Sequence, residues 1–566
     1  MRTRLRAALT ASALLLTTAL GGAQPAPPAS YGGGRVQGWT EQERQWFWHA
    51  TQGTRLLPMA WFLALEQPRR DAAEAPPFSE PDHLATFGFL PSSRSDWNPR
   101  GLPIGFAEDP PVPGGEGAER LPAVGLTCAA CHTGQVERNG RTLRVEGGPA
   151  MLDLDEFQEK LGLAMGATAQ FDERFQRFAG RILKATGQEG APDERGHLRQ
   201  ALGEWLKVAA EEKKRAEKHG LYPVAEGPGR LDALGRGGNA VFGLALGEPR
   251  NYAVADAPVS YPPLWDTPWF RWAQYSGSIS QPMARNVAQA LGVRAAVRLS
   301  MDEGTRFKSS VRFDHLHEME ELLAGKEPGK GGLLSPAWPA ELFASPIDDA
   351  KRDRGRVLYA QHCSGCHTGW PGESNLKRPE VRLTMAEVRH IGTDPKAAMN
   401  FAARTVHLPW EPNGPVSAAE ALRKVTNGVM NRWYGENNVG PERRWEMSGR
   451  SENEWQAPPA YRARPLNGVW ATAPYLHNGS VPTLWELLEP AERRRAVFFV
   501  GGREFDTERV GFDVSKAPGR FPFDTSLPGN SNSGHEFRDG PRGNGVIGPA
   551  LSDEQRRDLI EYLKTL

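Results

Sequence analysis

Two short cysteine motifs constrain the fold of this chain more than any other feature. Both follow the pattern C-x-x-C-H: Cys128-Ala129-Ala130-Cys131-His132 and Cys363-Ser364-Gly365-Cys366-His367. Two thiols three positions apart reach both vinyl groups of a haem from one turn of chain, and the next histidine is carried to the iron. All four cysteines of the chain belong to these motifs. The sequence therefore predicts two covalently bound haem c groups, with His132 and His367 as iron ligands.

The N-terminus has the three parts of a secretory signal peptide. Three arginines lie within residues 1–6, residues 7–20 are apolar or small, and residues 21–23 offer small side chains for cleavage. We predict a signal peptide over residues 1–23 and a flexible leader, rich in Pro, Ala and Gly, over residues 24–38. Retention of the signal as an N-terminal anchor is the alternative.

The export signal predicts a periplasmic or secreted protein, most simply in a bacterial periplasm, where c-type haem is attached. No later segment approaches the ~18 apolar residues that a membrane helix needs, so we expect no membrane span after signal cleavage. Export also disfavours the main alternative for these cysteines, a zinc site of the Cys₂His₂ or Cys₄ type.

The net charge and the length of the chain argue against a nucleic-acid-binding protein and against a single small cytochrome domain. Lys+Arg and Asp+Glu both number 68, so the formal charge is zero and no basic surface for nucleic acid is indicated. A chain of 566 residues is too long for a single small cytochrome domain, and its 62 glycines and 47 prolines indicate long irregular connections. The predicted fold class is mainly α, with two cytochrome c-like haem lobes, long loops and small β-hairpins.

We place the N-terminal haem lobe, with an enlarged insertion, at residues 39–345 and the C-terminal cytochrome c-like lobe at residues 346–566. A hairpin is predicted around Asn139-Gly140, just after the first motif. The second lobe should open with a helix from about residue 348 to residue 362 that runs into Cys363. It should close with a helix capped near Ser552 that crosses the first one.

Residues 230–293 are dense in aromatic side chains, which are Tyr252, Tyr261, Trp265, Trp269, Phe270, Trp272 and Tyr275. Such a cluster can simply be core, because aromatic residues dominate buried area. A fold that holds a large flat macrocycle also needs an aromatic wall beside it. We predict that at least one of these rings lines the distal side of the first haem, with Trp265 as the leading candidate and the predicted catalytic residue.

Residues 471–484 read ATAPYLHNGSVPTL. This segment closely resembles the one that follows the second haem in bacterial dihaem cytochrome c peroxidases and MauG-type enzymes. Within that superfamily the chain is most similar to the dihaem rubber oxygenases of the RoxA type, through its size and three short stretches: PVSY at 258–261, WDTP at 265–268 and GHEF at 534–537.

The resemblance implies that the two haem irons have different functions. In the peroxidases one haem stores an electron and the other presents an open face to peroxide, whereas in the rubber oxygenases the N-terminal haem binds dioxygen opposite its histidine. We therefore expect an exported dihaem oxidoreductase that activates dioxygen or peroxide at the first haem and relays electrons through the second. A RoxA-like oxygenase acting on an apolar polyisoprenoid is preferred. A cytochrome c peroxidase fed by a small redox protein, and a non-enzymatic electron-transfer cytochrome, are the alternatives.

Two histidines compete to be the sixth ligand of the second haem. His477 lies in the stretch His477-Asn478-Gly479, but the peroxidase pattern places its ligand further along, at a position that is Ala491 here and cannot ligate. His535 lies where the oxygenase pattern places its distal histidine, so we prefer His535, with His477 as a hydrogen-bonding neighbour of the haem. Met447 or Met430 is a third candidate, which would raise the reduction potential.

Calcium is implied by the resemblance alone. Thr472 and the carbonyl of Pro474 match positions that contribute to a calcium site between the haems in the peroxidases. The acidic side chains that usually surround calcium are missing from this segment, which weakens the prediction.

Overall fold

The computed structural model describes residues 37–189, 193–368 and 380–566. The predicted signal peptide and nearly all of the predicted leader lie outside the described residues. Within the described part, helices dominate the regular structure and the strands form small, mostly antiparallel pairs. The predicted fold class, mainly α with small hairpins, is confirmed.

The helices of the first part of the chain include α4, which is formed by Cys128–Cys131 of the first cysteine motif. They are α1 Glu41–His49, α2 Met59–Ala64, α3 Pro81–Ala85, α4 Cys128–Cys131, α5 Leu154–Gln170, α6 Asp172–Thr186, α7 Glu194–His219, α8 Ala233–Gly238, α9 Pro282–Gly292 and α10 Phe313–Ala324. A π-helix, Asn239–Ala245, continues α8 without a break. Such π-helical turns are rare in proteins.

The helices of the second part begin just before the second cysteine motif. They are α11 Ala340–Phe343, α12 Asp349–His362, α13 Val388–Ile391, α14 Lys396–Ala403, α15 Ala418–Glu436, α16 Pro441–Met447, α17 Leu484–Leu487 and α18 Asp553–Leu563. The side chain of Asp348 caps α12, and Ser552 begins α18 with a capping box. Both predicted helices of the second lobe are thus confirmed.

Helices α12 and α18 pack closely against each other. The Arg354 guanidinium donates to both carboxylate oxygens of Asp558, at 2.7 and 2.6 Å. The rings of Tyr359 and Tyr562 lie 5.2 Å apart between centroids. A Cβ atom added at Gly355 would stand 1.9 Å from the Asp558 carbonyl oxygen, so only glycine permits this approach of the two backbones.

The strands are short and tie distant segments together. They are β1 Leu57–Pro58, β2 Phe106–Asp109, β3 Ala123–Leu126, β4 Thr133–Arg138, β5 Arg141–Glu146, β6 Arg230–Leu231, β7 Val259–Ser260, β8 Thr384–Glu387, β9 Thr405–Val406, β10 Val416–Ser417, β11 Ala460–Ala463, β12 Val497–Val500, β13 Phe505–Asp506, β14 Gly511–Phe512, β15 Phe521–Asp524, β16 Glu536–Phe537 and β17 Val546–Gly548. The order β1-β3-β2 forms a three-stranded sheet, and β16 pairs in parallel with β17.

The predicted hairpin is confirmed as β4 and β5, which pair from Thr133 opposite Glu146 to Arg138 opposite Arg141. Asn139 and Gly140 turn the chain with positive φ angles of 50° and 75°. These angles suit a two-residue hairpin turn, for which Asn-Gly is favoured. The hairpin begins directly after the first motif.

The largest buried apolar cluster includes residues from both predicted lobes, among them Trp265 and Val287 from the first and Val425 and Trp470 from the second. A second cluster, from Leu57 to Tyr261, belongs to the first lobe. The boundary at residues 345 and 346 stays a prediction. Residues from both predicted lobes therefore contribute to one apolar core.

Trp470 lies at the centre of an aromatic group. It is fully buried, its indole N–H donates to the Pro336 carbonyl at 2.9 Å, and its ring contacts Trp338, Phe343 and Phe505. We expect Trp470→Ala to lower the free energy of unfolding by about 3–5 kcal/mol, because it leaves a large cavity. Chemical denaturation of the haem-loaded protein measures this.

The matched control for Trp470 is Trp97, which is 47% exposed. Trp97→Ala should change the free energy of unfolding by no more than about 0.5 kcal/mol, since surface substitutions of this kind cost little. Equal losses in the two variants would contradict the central place of Trp470 in the core.

Candidate haem-binding sites

The first cysteine motif is held rigidly by its flanking backbone. Thr127 caps α4: its hydroxyl accepts from the Ala129 amide at 3.3 Å and donates to the Trp48 carbonyl at 3.0 Å. Gly105, at a φ of +90°, lies directly against α4, where an added Cβ would stand 2.3 Å from the Ala130 Cα. The backbone of the motif therefore has one position relative to the three-stranded sheet.

His132 presents one free ring nitrogen. Its Nδ1 lies 2.8 Å from the Pro262 carbonyl oxygen. A carbonyl only accepts, so Nδ1 carries the hydrogen and Nε2 keeps its lone pair. Burial lowers the pKa of His132 to about 4, so the ring is neutral near pH 7. A neutral imidazole with its other nitrogen bonded to a backbone carbonyl is the usual form of a metal-ligating histidine.

The second motif repeats this arrangement. Cys363 follows α12 directly, and the Nδ1 of His367 lies 2.7 Å from the Arg464 carbonyl oxygen. Burial lowers the pKa of His367 as well. Each motif histidine is thus neutral and supported at Nδ1 by a backbone carbonyl, and its Nε2 has no hydrogen-bond partner recorded among the described residues.

His535 faces His367 across a short gap. The two ring centroids are 6.3 Å apart and the ring planes meet at 68°. Metal–imidazole bonds are ~2 Å long, so two such bonds in line place the ring centroids ~6 Å apart. The Nδ1 of His535 is buried and has no hydrogen-bond partner among the described residues, and burial lowers the pKa of His535 to about 3. His367 and His535 together would hold one haem iron.

A backbone scaffold holds His535 in an uncommon conformation. Its φ of +48° is in the left-handed region, which non-glycine residues rarely occupy. The buried Arg494 guanidinium donates to the carbonyls of Gly534 and His535 at 2.9 and 3.0 Å. Ala491, where the peroxidase pattern has its ligand, donates its amide to the Glu536 carboxylate at 3.1 Å. Ala491 therefore lies next to the loop that carries His535.

The other candidate ligands lie elsewhere. His477 stacks on Tyr461, with centroids 4.0 Å apart, and within the described part of the chain it makes no ring contact with His367. Burial lowers the pKa of His477 to about 3. Met430 and Met447 are buried in the large apolar cluster. Of the four candidates, the structure brings His535 to His367.

Trp265 lies near the supports of both motif histidines. It is fully buried, its indole N–H donates to the Asn467 carbonyl at 2.9 Å, and the Arg464 guanidinium lies 5.5 Å from its ring centroid. Within the aromatic-rich residues 230–293, the side chain whose ring contacts His132 is Tyr261, with the two centroids 6.2 Å apart. The role of Trp265 on the distal side of the first haem stays a prediction.

No sequence pattern predicted the buried ion pair that lies beside the first motif. Arg285 bonds Glu320, and the two residues are only 6% and 7% exposed. Asn286 donates to the same Glu320 oxygen at 2.8 Å, whereas Glu320 Oε2 has no hydrogen-bond partner among the described residues. Burial raises the pKa of the Cys128 thiol to about 11, and the charges of Glu320 and Arg285 also act on that thiol. The pair therefore belongs to the surroundings of the first motif.

Thr472 donates its hydroxyl to the Val469 carbonyl at 2.8 Å. In the ranges that the structure describes, no group of three or more His, Cys, Asp or Glu side chains is arranged to hold a metal ion. The calcium site at Thr472 and Pro474 stays a prediction.

Comparisons with known proteins relate this chain to a cytochrome c-like family and to two bacterial proteins. Residues 460–499 match the RoxA-like, cytochrome c-like family. The uncharacterized protein y4iJ of Sinorhizobium fredii (strain NBRC 101917 / NGR234) is 43% identical over 561 residues, which cover 94% of this chain and 92% of that protein. The chain belongs to the y4iJ family. A second protein of that strain, y4iM, is 29% identical over 320 residues, which cover 54% of this chain and 63% of y4iM.

The RoxA-like region implies haem c binding. It includes Arg464, whose carbonyl supports His367, and Ala491, which adjoins the His535 loop. For this member of the y4iJ family, none of the helices within the described ranges has the length and apolar character needed to cross a membrane.

Proposed function

We propose that the chain is an exported dihaem c-type oxidoreductase, which activates dioxygen or peroxide at the first haem and relays electrons through the second. The observation that carries this proposal is the inequality of the two motif histidines. His367 is faced by a second imidazole, His535, at 6.3 Å. Among the described residues no second histidine ring contacts His132, and the aromatic ring that does is the phenol of Tyr261. An iron with two protein ligands suits electron transfer, whereas an iron with one is suited to binding a small molecule.

The residues that would hold the two haems follow from this. Cys128 and Cys131 would bind the first by thioether bonds, with His132 as its ligand. The second would be held by four residues, which are Cys363, Cys366, His367 and His535. When bound, haem supplies a redox-active iron that takes up dioxygen or peroxide and exchanges electrons. The chain's own part is to keep the histidines neutral, orient them through backbone carbonyls and surround them with buried apolar side chains.

The preferred activity is a RoxA-like oxygenase acting on an apolar polyisoprenoid. Its support is the RoxA-like match and the histidine pair at the position that the oxygenase pattern predicts. Cleavage of a carbon–carbon double bond by dioxygen balances without external electrons, because each oxygen atom ends in one of two new carbonyl groups. Incubation with polyisoprene under dioxygen, followed by identification of carbonyl-ended products, tests this activity.

A peroxidase is the second candidate, because of the buried Arg285–Glu320 pair beside the first motif. Reduction of hydrogen peroxide to two waters consumes two electrons and two protons. The electrons would come from a small cytochrome or cupredoxin, and the proton transfer needs a general acid or base near the peroxide. Glu320 has one carboxylate oxygen without a hydrogen-bond partner among the described residues, as such a group requires.

Glu320→Gln separates the two activities. If the protein is a peroxidase, we expect peroxide turnover to fall by a factor of about 10²–10⁴, the usual contribution of a general acid or base. If it is an oxygenase, polyisoprene cleavage should change little, because that reaction proceeds in an apolar pocket. Parallel assays with peroxide plus reduced cytochrome, and with polyisoprene plus dioxygen, measure both rates.

The matched control for Glu320 is its neighbour Glu321, which is exposed on the same helix. Glu321→Gln should leave both activities unchanged. The third hypothesis, an electron carrier without catalytic activity, predicts two low-spin irons that bind neither cyanide nor carbon monoxide. An optical spectrum of that kind would overturn the proposed enzyme function.

A further inference from the structure

The two motif histidines are supported by segments that are far apart in the sequence and adjacent in the fold. The Nδ1 of His132 bonds the carbonyl of Pro262, and the Nδ1 of His367 bonds the carbonyl of Arg464. Such partners of a ligating histidine fix the orientation of the ring and its basicity. The positions of these two carbonyls therefore decide how each imidazole is presented.

The side chain of Arg464 joins the two supports. Its guanidinium donates to the Pro263 carbonyl at 2.9 Å and to the Trp265 carbonyl at 3.1 Å. Pro263 directly follows Pro262, whose carbonyl holds His132. One residue thus supports His367 through its backbone carbonyl and the segment behind His132 through its side chain.

The charge of Arg464 makes these bonds strong. The guanidinium is partly buried over the rings of Trp265 and Phe270, and among the described residues no carboxylate lies within ion-pair distance. A guanidinium stays charged in proteins. A charge that is partly withdrawn from water needs hydrogen bonds in compensation, and here the bonds to Pro263 and Trp265 provide them. If either the Pro263 or the Trp265 carbonyl moved, its hydrogen bond to the guanidinium would weaken.

We propose that Arg464 is a positioning residue for both irons, which couples the two haem sites through the hydrogen bonds of its backbone carbonyl and its guanidinium. This inference rests on the proposed function in one respect, that His132 and His367 each ligate a haem iron. The proposed coupling predicts that a substitution of Arg464 alters both haems at once. The backbone carbonyl of residue 464 remains in every variant, so the effect must come from the loss of the guanidinium.

Arg494 is a matched control. Arg494 is buried and, like Arg464, donates to backbone carbonyls, but these belong to the loop of His535 and to the end of α17, including Gly534, His535 and Leu487. Arg494 has no bond to the segment behind His132. Its replacement should therefore change the second haem alone.

The experiment compares Arg464→Met and Arg494→Met with the unmodified holoprotein. Potentiometric titration followed by electron paramagnetic resonance gives the reduction potential and the signal of each haem. We expect Arg464→Met to shift the potentials and signals of both haems, and Arg494→Met to shift those of the second only. In Arg464→Lys, one ammonium group replaces the two-pronged guanidinium, so the first haem should shift in the same direction and by less.

Two results would overturn the coupling. One is a change confined to the second haem in both Arg464 variants, and the other is an equal change of both haems in Arg494→Met. If Arg464→Met does not fold, Arg464→Lys alone decides, since a first haem identical to that of the unmodified protein would refute the link. A haem count below two in the unmodified protein would refute the proposed function instead, and pyridine haemochrome analysis measures that separately.

Discussion

The Cys128→Ser/Cys131→Ser double variant should carry one haem per chain instead of two and should lose turnover with both dioxygen and peroxide. Serine cannot form the thioether bonds, and the first haem is the proposed site of substrate activation. His367 and His535 remain, so the low-spin signal of the second haem should persist. Pyridine haemochrome analysis and the intact mass of the mature chain measure the haem count directly.

The reciprocal variant, Cys363→Ser/Cys366→Ser, provides the comparison. It should also retain one haem, but that haem should bind carbon monoxide, because His132 is the one histidine assigned to its iron. Turnover should fall in this variant if electrons reach the first haem through the second. An unchanged haem count in either double variant would refute the assignment of the two motifs.

Replacing His535 by alanine should convert the second haem from a low-spin to a high-spin iron. The ring of His535 lies 6.3 Å from that of His367, and no other candidate ligand makes a ring contact with His367 among the described residues. With one axial ligand removed, the iron becomes accessible, so the carbon monoxide bound per chain should rise from about one to about two. Optical and electron paramagnetic resonance spectra of the oxidised and reduced protein measure both changes.

His477→Ala is the control for this substitution. His477 stacks on Tyr461 and lies in the segment that resembles the peroxidases, so its loss should leave the low-spin signals in place. If His477→Ala removed a low-spin signal and His535→Ala did not, the assignment of the sixth ligand would be wrong.

The elements that the sequence predicted well are those whose signals are local. The C-x-x-C-H spacing, the cap at Ser552 and the Asn139-Gly140 turn each act over a few residues. Hydrogen bonds within one turn determine where these elements begin and end, so no distant contact is needed to recognise them.

The surroundings of the two motifs could not be predicted in this way. Arg464 and Pro263 are 201 positions apart and are joined by one hydrogen bond. Arg285 and Glu320 lie on different helices and form a buried pair beside Cys128 that no sequence pattern indicates. Such contacts depend on how helices and loops pack, which local spacing does not encode.

The sequence by itself thus determined the two C-x-x-C-H motifs, with their four thiols and two adjoining histidines, and indicated the mainly helical fold. Only the tertiary structure decided which second histidine faces His367, and which carbonyls hold the two motif rings. The physical reason is that a covalent motif is specified along the chain, whereas axial pairing and hydrogen-bond support require atoms from remote segments to meet within a few ångströms.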